Sequence, residues 1–295
     1  MTSRRLVFIH GRAQQNKDSI ALKAEWVKSF EDGLHAAGKL PMPIAEPDIK
    51  FPYYGDTLDD LVSGADQVAD VIVRGAGAGD AEKDFIRAVL DEVLKKTTVT
   101  AEKLDAIIGA EVVQRGPLNW EWVQGILRAI DRHVPFGSGI SVALATYDVY
   151  QYLHNAAIAT RINDGVLRAM EPSVPTVVVS HSLGTVVAYN LLKNKGAALG
   201  WVVPLFVTLG SPLAVTKIKQ MITPIGHPDC AKAWFNAMDE RDVVALYPLN
   251  KKHFSVTPKI VNKTDVRNPT ENRHGISGYL SDPEVAQRIH TALTQ

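Results

Sequence analysis

The sequence predicts an α/β fold, a mostly parallel central sheet flanked by helices, on three observations. Short β-branched and apolar runs, Leu6-Val7-Phe8-Ile9 and Val177-Val178-Val179, read as strands buried on both faces. Each leads through a short turn into apolar residues at helical spacing, and strand–helix–strand is the unit of a parallel sheet. Further strand patterns return after residue 200, so one sheet is built from both ends of the chain with a helical block between them.

The elements follow in order. After Leu6 to Ile9, residues 18 to 37 place Ile20, Leu22, Trp26, Val27, Phe30 and Leu34 on one helical stripe, capped by Asp18 or Ser19. Ile44 to Tyr54 reads as a second strand. Residues 55 to 145 then carry successive helical stripes: Leu58 to Ile72, Phe85 to Leu94, Leu104 to Val112 behind a Thr100 N-cap, and an aromatic-rich stripe from Trp120 to Ile130. A helix from Tyr147 to Met170 leads to Pro175 and the valine strand. Strands follow at Val202 to Leu209, Ala233 to Ala237 and Phe254 to Val261, and a final helix at Pro283 to Leu293 with Ser281 or Asp282 as N-cap. The chain therefore reads as one domain over 1–295, with a core of 1–54 and 146–295 and a helical cap inserted at about 55–145.

Composition limits the function classes. The chain has 295 residues, 46% hydrophobic and 22% charged, enough for a sizeable core. Acidic and basic residues balance at 32 each, so no electrostatic footprint for nucleic acid or an anionic membrane is expected. Cys230 is the single cysteine, which excludes an internal disulfide framework and fits a reducing compartment. No run approaches the roughly 18 apolar residues of a membrane span, and the apolar run at the N-terminus is too short for a signal peptide. A cytoplasmic protein without an integral membrane segment is the expectation. No His/Cys/Asp spacing suggests a metal site, and Gly75 to Gly79 follows a helix without a Lys-Ser/Thr partner, so it reads as a link and not a phosphate loop. No cofactor is called for.

Chemistry concentrates at Ser180-His181-Ser182-Leu183-Gly184, between the valine strand and the helix of Val186 to Leu191. Small residues two before and two after a serine, at a strand-to-helix turn, allow the tight turn that holds a serine Oγ clear of the sheet. The serine also lies at a helix N-terminus, where free N–H groups favour developing negative charge. Acyl transfer through such a serine needs a base, a buried acid to orient it, and donors for the oxyanion. Downstream, Asp239 and Asp242 follow a strand end, and His274 lies in a polar loop before the last helix.

With Phe8-Ile9-His10-Gly11, Leu209-Gly210-Ser211-Pro212-Leu213, Asn236 through Val244 and Asn272-Arg273-His274-Gly275, this order resembles the α/β-hydrolase superfamily, in particular its lipase- and esterase-like members. The resemblance covers both ends of the chain and leaves out the helical block. It departs from the commonest pattern at Ser180, where glycine is usual, and in starting at what would be the family's third strand. It implies Ser182 as nucleophile, His274 as general base then acid, and Asp242 as the orienting acid, with Asp239 as the alternative. The backbone N–H of Leu183 would be one oxyanion donor, and that of Arg12 or Gly11 the other. Tyr54 and Ser211, at predicted strand ends, are candidate pocket walls; His10, closing its strand, is a structural or site-wall candidate, and His181, inside the turn, is a pocket candidate that packs beside it. The Trp120/Trp122 stripe reads as cap packing before ligand contact.

The expected activity is cleavage of a carboxylic ester through an acyl-enzyme. The apolar cap stripes point to a hydrophobic acyl or alcohol group and so to a small-molecule or lipid-like ester as the partner. Thioester, lactone or amide cleavage, or transfer to an acceptor other than water, would use the same residues. A non-catalytic binding module and a membrane-surface lipase are the alternatives from other classes.

Overall fold

The computed structural model describes residues 4–11, 18–54, 79–97, 99–109, 120–134 and 139–295. Among the described residues, six strands form one parallel sheet: β1 (Arg5–Ile9), β2 (Ile49–Lys50), β3 (Thr176–His181), β4 (Phe206–Leu209), β5 (Trp234–Ala237) and β6 (Val261–Lys263), in the order β2-β1-β3-β4-β5-β6. Helices flank both faces. They are α1 (Ser19–Ala36), α2 (Asp80–Lys96), α3 (Ala101–Ile108), α4 (Trp120–His133), α5 (Gly139–His154), α6 (Ala156–Ala169), α7 (Leu183–Leu191), α8 (Thr216–Met221), α9 (Ile276–Leu280) and α10 (Pro283–Thr294).

The inner strands β1, β3, β4 and β5 are buried and mostly apolar because both faces are covered, whereas the edge strands β2 and β6 carry Lys50, Asn262 and Lys263, and the pleat sends alternate residues to opposite sides. Leu6, Phe8, Val177, Val179 and Phe235 pack with Trp26, Phe30, Val285 and Ile289, under α1 and α10. Val7, Ile9, Val178 and Phe206 join the larger cluster on the other side, with α5, α6, α7 and the cap helices α2 to α4. The sheet grows outward from β1 and β3, which pair from Arg5↔Thr176 to Ile9↔Ser180. From β1 the chain moves to β2 on one side, and from β3 to β4 on the other. That reversal of strand order leaves a crevice between the carboxyl ends of β1 and β3, where open parallel sheets bind ligands.

Local chemistry sets the element ends. Asp18 accepts the N–H of Ile20 and starts α1, and Thr100 accepts that of Lys103 at α3. Asp282 accepts from Glu284 and Val285, with Pro283 in the first turn of α10. Five expectations change. The single helix from Tyr147 to Met170 is two, because Asn155 takes the N–H groups of Ala157 and Ile158 and so begins α6 anew. The second strand narrows from Ile44–Tyr54 to Ile49–Lys50, held between Pro47 in a short 3₁₀ turn and Pro52. The fourth strand shortens to Phe206–Leu209 behind Pro204. The last strand begins at Val261, where it was expected to end. Phe254 is apolar because it packs on Tyr189 and Trp234 from a turn, not because it is extended. A short helix, α9, stands between the His274 loop and the final helix.

Helix α5 runs through residue 145, where the sequence places the boundary between cap and core. The stripe Leu58 to Ile72 and residues 75–78 of the glycine-rich link lie outside the described residues. Among the described residues no helix is long and apolar enough to cross a membrane.

Candidate active site

Ser182 sits between the last residue of β3 and the first of α7 with φ 55° and ψ −128°. A non-glycine residue is held there only when its surroundings over-determine it, at a cost of about 1–3 kcal/mol. The surroundings are visible. Ser182 N–H donates to Leu209 O on β4, and its carbonyl accepts from both the N–H and the hydroxyl of Thr185. Gly184 lies against β1 so closely that a Cβ would be 2.2 Å from Ile9 O. Gly11, two residues past β1, lies against Ser182 itself, where a Cβ would be 2.7 Å from the serine Cβ. Ser180 explains its own departure from glycine, since its buried hydroxyl donates to Val207 O and ties β3 to β4 (2.8 Å).

The serine faces a histidine and an acid from two loops distant in sequence. His274 Nε2 is 2.9 Å from Ser182 Oγ, and His274 Nδ1 is 2.7 Å from Asp242 Oδ2. Asp242 is 2% exposed, so its charge depends on donors rather than water. Its Oδ1 accepts from the N–H groups of Val244 (2.8 Å) and Ala245 (3.3 Å), and its Oδ2 also accepts from the Tyr279 hydroxyl (2.6 Å). Burial alone would push the carboxyl up; His274, Tyr279 and the Val244 N–H outweigh it and hold the group below the ordinary carboxylate range.

The alternative acid, Asp239, is turned elsewhere. Its carboxylate takes the backbone N–H and guanidinium of Arg241 and the N–H of Asn268 (2.9 Å). Asn268 in turn donates to Gly275 O, so Asp239 ties the loop of Asp242 to the loop of His274 without touching the imidazole. Of the two aspartates weighed from sequence, Asp242 is the one against His274.

The four pocket candidates lie behind the serine. His10 is fully buried, with Nδ1 donating to Gly11 O and Nε2 accepting the N–H of Tyr54, which fixes it as the neutral tautomer. Burial lowers its pKa to about 4. Tyr54 stacks on this ring and donates its hydroxyl to His10 O, so both brace the loop after β1. His181 packs at 4.7 Å against the His274 ring and donates from Nε2 to His274 O (2.7 Å). Burial first, then the neighbouring His274, lowers its pKa to about 3. Ser211 Oγ bonds Thr185 Oγ1 (2.8 Å) and accepts the N–H of Leu213 beneath the turn. All four support the site from behind. Tyr54 and Ser211 were placed as walls because they stand at predicted strand ends, and here their side chains turn into the core; His10 takes the structural role open to it, and His181 packs beside the turn as read from its position there.

The cavity that does touch Ser182 is bounded by Val89 and Val93 of α2, Val142 and Val149 of α5, and Val215 and Val244 of the core. Its volume is about 10 Å³, room for about one water. Trp122 packs against the large core cluster as expected for cap packing. For an oxyanion, the Leu183 N–H stands at the start of α7, where the first N–H groups of a helix have no acceptor within the helix. Gly11 abuts the serine on the β1 side, and Arg12 lies outside the described residues.

Tyr279, Asn268 and Thr185 were not singled out in the sequence. A faint signal existed for Tyr279: a tyrosine in a short apolar stretch one turn past the candidate base needs a partner for its hydroxyl. The arrangement is that of a hydroxyl poised to lose its proton to an imidazole whose other nitrogen is anchored on a buried carboxylate. No protein-family model, curated protein or solved structure matches the chain.

Proposed function

We propose that the protein is a serine hydrolase of α/β-hydrolase fold that cleaves a carboxylic ester with an apolar acyl group. The observation that carries this reading is the unbroken chain Ser182 Oγ–His274–Asp242, on a strained turn at the crevice where the strand order reverses. Ser182 Oγ attacks the ester carbonyl and passes its proton to His274 Nε2. Asp242 keeps the ring oriented through Nδ1 and stabilises the imidazolium without itself taking the proton. The carbonyl oxygen, now negative, is met by the Leu183 N–H at the positive end of α7 and by an N–H of the loop after β1. When the intermediate collapses, the C–O bond to the alcohol breaks and His274 returns the proton to the leaving oxygen. Water then attacks the acyl-enzyme with His274 as base, freeing the acid and restoring the serine. The valine-lined cavity beside Oγ favours an apolar acyl chain over a charged one.

Reaction with a fluorophosphonate probe, and hydrolysis of short p-nitrophenyl esters, test the reading. Ser182 should carry the label, and Ser182→Ala should lose both label and turnover while melting as the parent does. Labelling that survives in Ser182→Ala, or a parent protein inert to probe and esters alike, overturns it.

A further inference from the structure

We infer that Tyr279 is a positioning residue for the Ser182–His274–Asp242 chain, its hydroxyl fixing the Asp242 carboxylate and drawing off charge that would otherwise fall on His274. This rests on the proposed hydrolase reading for its meaning in turnover, but the geometry stands independently.

Tyr279 is fully buried on α9, the helix that begins directly after the His274 loop. Its oxygen accepts the Asp239 N–H (3.2 Å) and lies 2.6 Å from Asp242 Oδ2. An ionised carboxylate can only accept, so the hydroxyl proton points at Asp242. Burial, then the neighbouring Asp242, push the phenol well above its ordinary pKa, which keeps it a donor. Asp242 Oδ1 is already occupied by two backbone N–H groups, so Tyr279 and His274 share Oδ2. They compete for the same lone-pair density. A hydroxyl that takes part of it leaves less for the His274 Nδ1–H, and its removal would leave the carboxylate oxygen to the imidazole alone. The same hydroxyl stops the carboxylate from turning about its bond. The ring is held in turn: a Cβ on Gly210, at φ +55°, would sit 3.0 Å from Tyr279 Cε2 and 3.1 Å from His274 Cε1.

A tyrosine that merely filled space would do none of this through its oxygen. Tyr279→Phe removes the oxygen and keeps the ring. 3-Fluorotyrosine at position 279 keeps the oxygen and makes it a stronger donor. The measurement is the pH dependence of fluorophosphonate labelling, with the His274 ring signals followed by NMR across the same range. In Tyr279→Phe the acid limb should move up by about one pH unit, and the plateau rate should fall about tenfold, as befits loss of a hydrogen bond to a charged group. With 3-fluorotyrosine the limb should move down. Limbs and ring titrations that stay at the parent's position in both proteins, or move the same way in both, overturn the assignment. If Tyr279→Phe does not fold, the direction seen with 3-fluorotyrosine decides it. A parent that is never labelled overturns the hydrolase reading instead, and the ring titration still tests Tyr279.

Discussion

A methyl carbon placed on Gly11 would lie 2.7 Å from the Cβ of Ser182 and 3.2 Å from its Oγ. Side chains do not approach so closely, so Gly11→Ala must separate the loop after β1 from the turn of β3. That movement pulls Oγ from His274 Nε2, at 2.9 Å, and parts the two N–H-bearing backbones that flank the serine. Relieving the contact takes a shift approaching about 1 Å, a misplacement of the order that costs a catalytic site about 100-fold. The expected result is a loss of about 100-fold in kcat/KM on a short p-nitrophenyl ester, with the fold retained by circular dichroism. Parental kcat/KM in Gly11→Ala would show that this contact is not part of the working site.

The two aspartates should separate cleanly. Asp242→Asn keeps the shape but offers its amide to His274, which reverses the imidazole tautomer; a loss of about 10⁴-fold in kcat is expected. Asp239→Asn leaves Asp242 in place but loses the charge that holds Arg241 and receives the Asn268 N–H. It should cost about 1–3 kcal/mol in urea unfolding, with kcat reduced far less than in Asp242→Asn. Equal kinetic damage from both would mean that Asp239 acts on His274 directly.

How much of this was legible follows from the kind of signal each feature leaves. The strands β1 and β3 were readable because burial on both faces demands an uninterrupted apolar run, and the serine turn because it demands small flanks. The order of Ser182, Asp242 and His274 came from the resemblance, and their contact is a matter of tertiary geometry. The break at Asn155 was not legible, since apolar periodicity continues across it and only the cap geometry ends one helix and begins the next. Ser211 and Tyr54 were misplaced for a related reason: position at a strand end does not say whether a side chain turns to solvent or to the core. Tyr279 was missed because its partner stands 37 residues earlier, and no local pattern joins them.

Acid should weaken the fold in two stages. His10 and His181 are held neutral in the folded chain, with pKa values near 4 and 3 against 6.5 when unfolded. Between those limits the unfolded chain binds more protons, so stability rises with pH. The contribution is complete above pH 6.5 and is lost as pH falls, at up to about 1.4 kcal/mol per pH unit for each histidine. Asp242 has the opposite charge but the same sense. Its pKa is depressed, so its share is present above the unfolded value and is lost only below about pH 4. Urea midpoints measured from pH 7 to pH 4.5 should fall steadily, and His181→Gln, which can still donate to His274 O, should halve the slope. A flat profile over that range would show that neither ring is kept neutral.

The cavity at Ser182 sets the last expectation. At about 10 Å³ it holds no more than about one water, so even a butyryl chain must displace α2 or α5. α2 is tied down: Glu92 accepts the N–H of Thr216 (3.0 Å) and its hydroxyl (2.9 Å), at the start of α8. Relief should therefore come most simply from within, by shortening the side chains that fill the space. Val89→Ala and Val93→Ala each remove two methyl carbons facing the serine, at a stability cost on the order of 2 kcal/mol. The ratio of kcat/KM for p-nitrophenyl butyrate to that for the acetate should rise about tenfold, as expected for a hydrophobic pocket that gains room for added methylenes. Substitution on the far side of the sheet, for example Val285→Ala, should leave the ratio alone. A ratio that does not move in either α2 variant would place the acyl chain outside the valine cavity, and the substrate class would have to be argued from another wall.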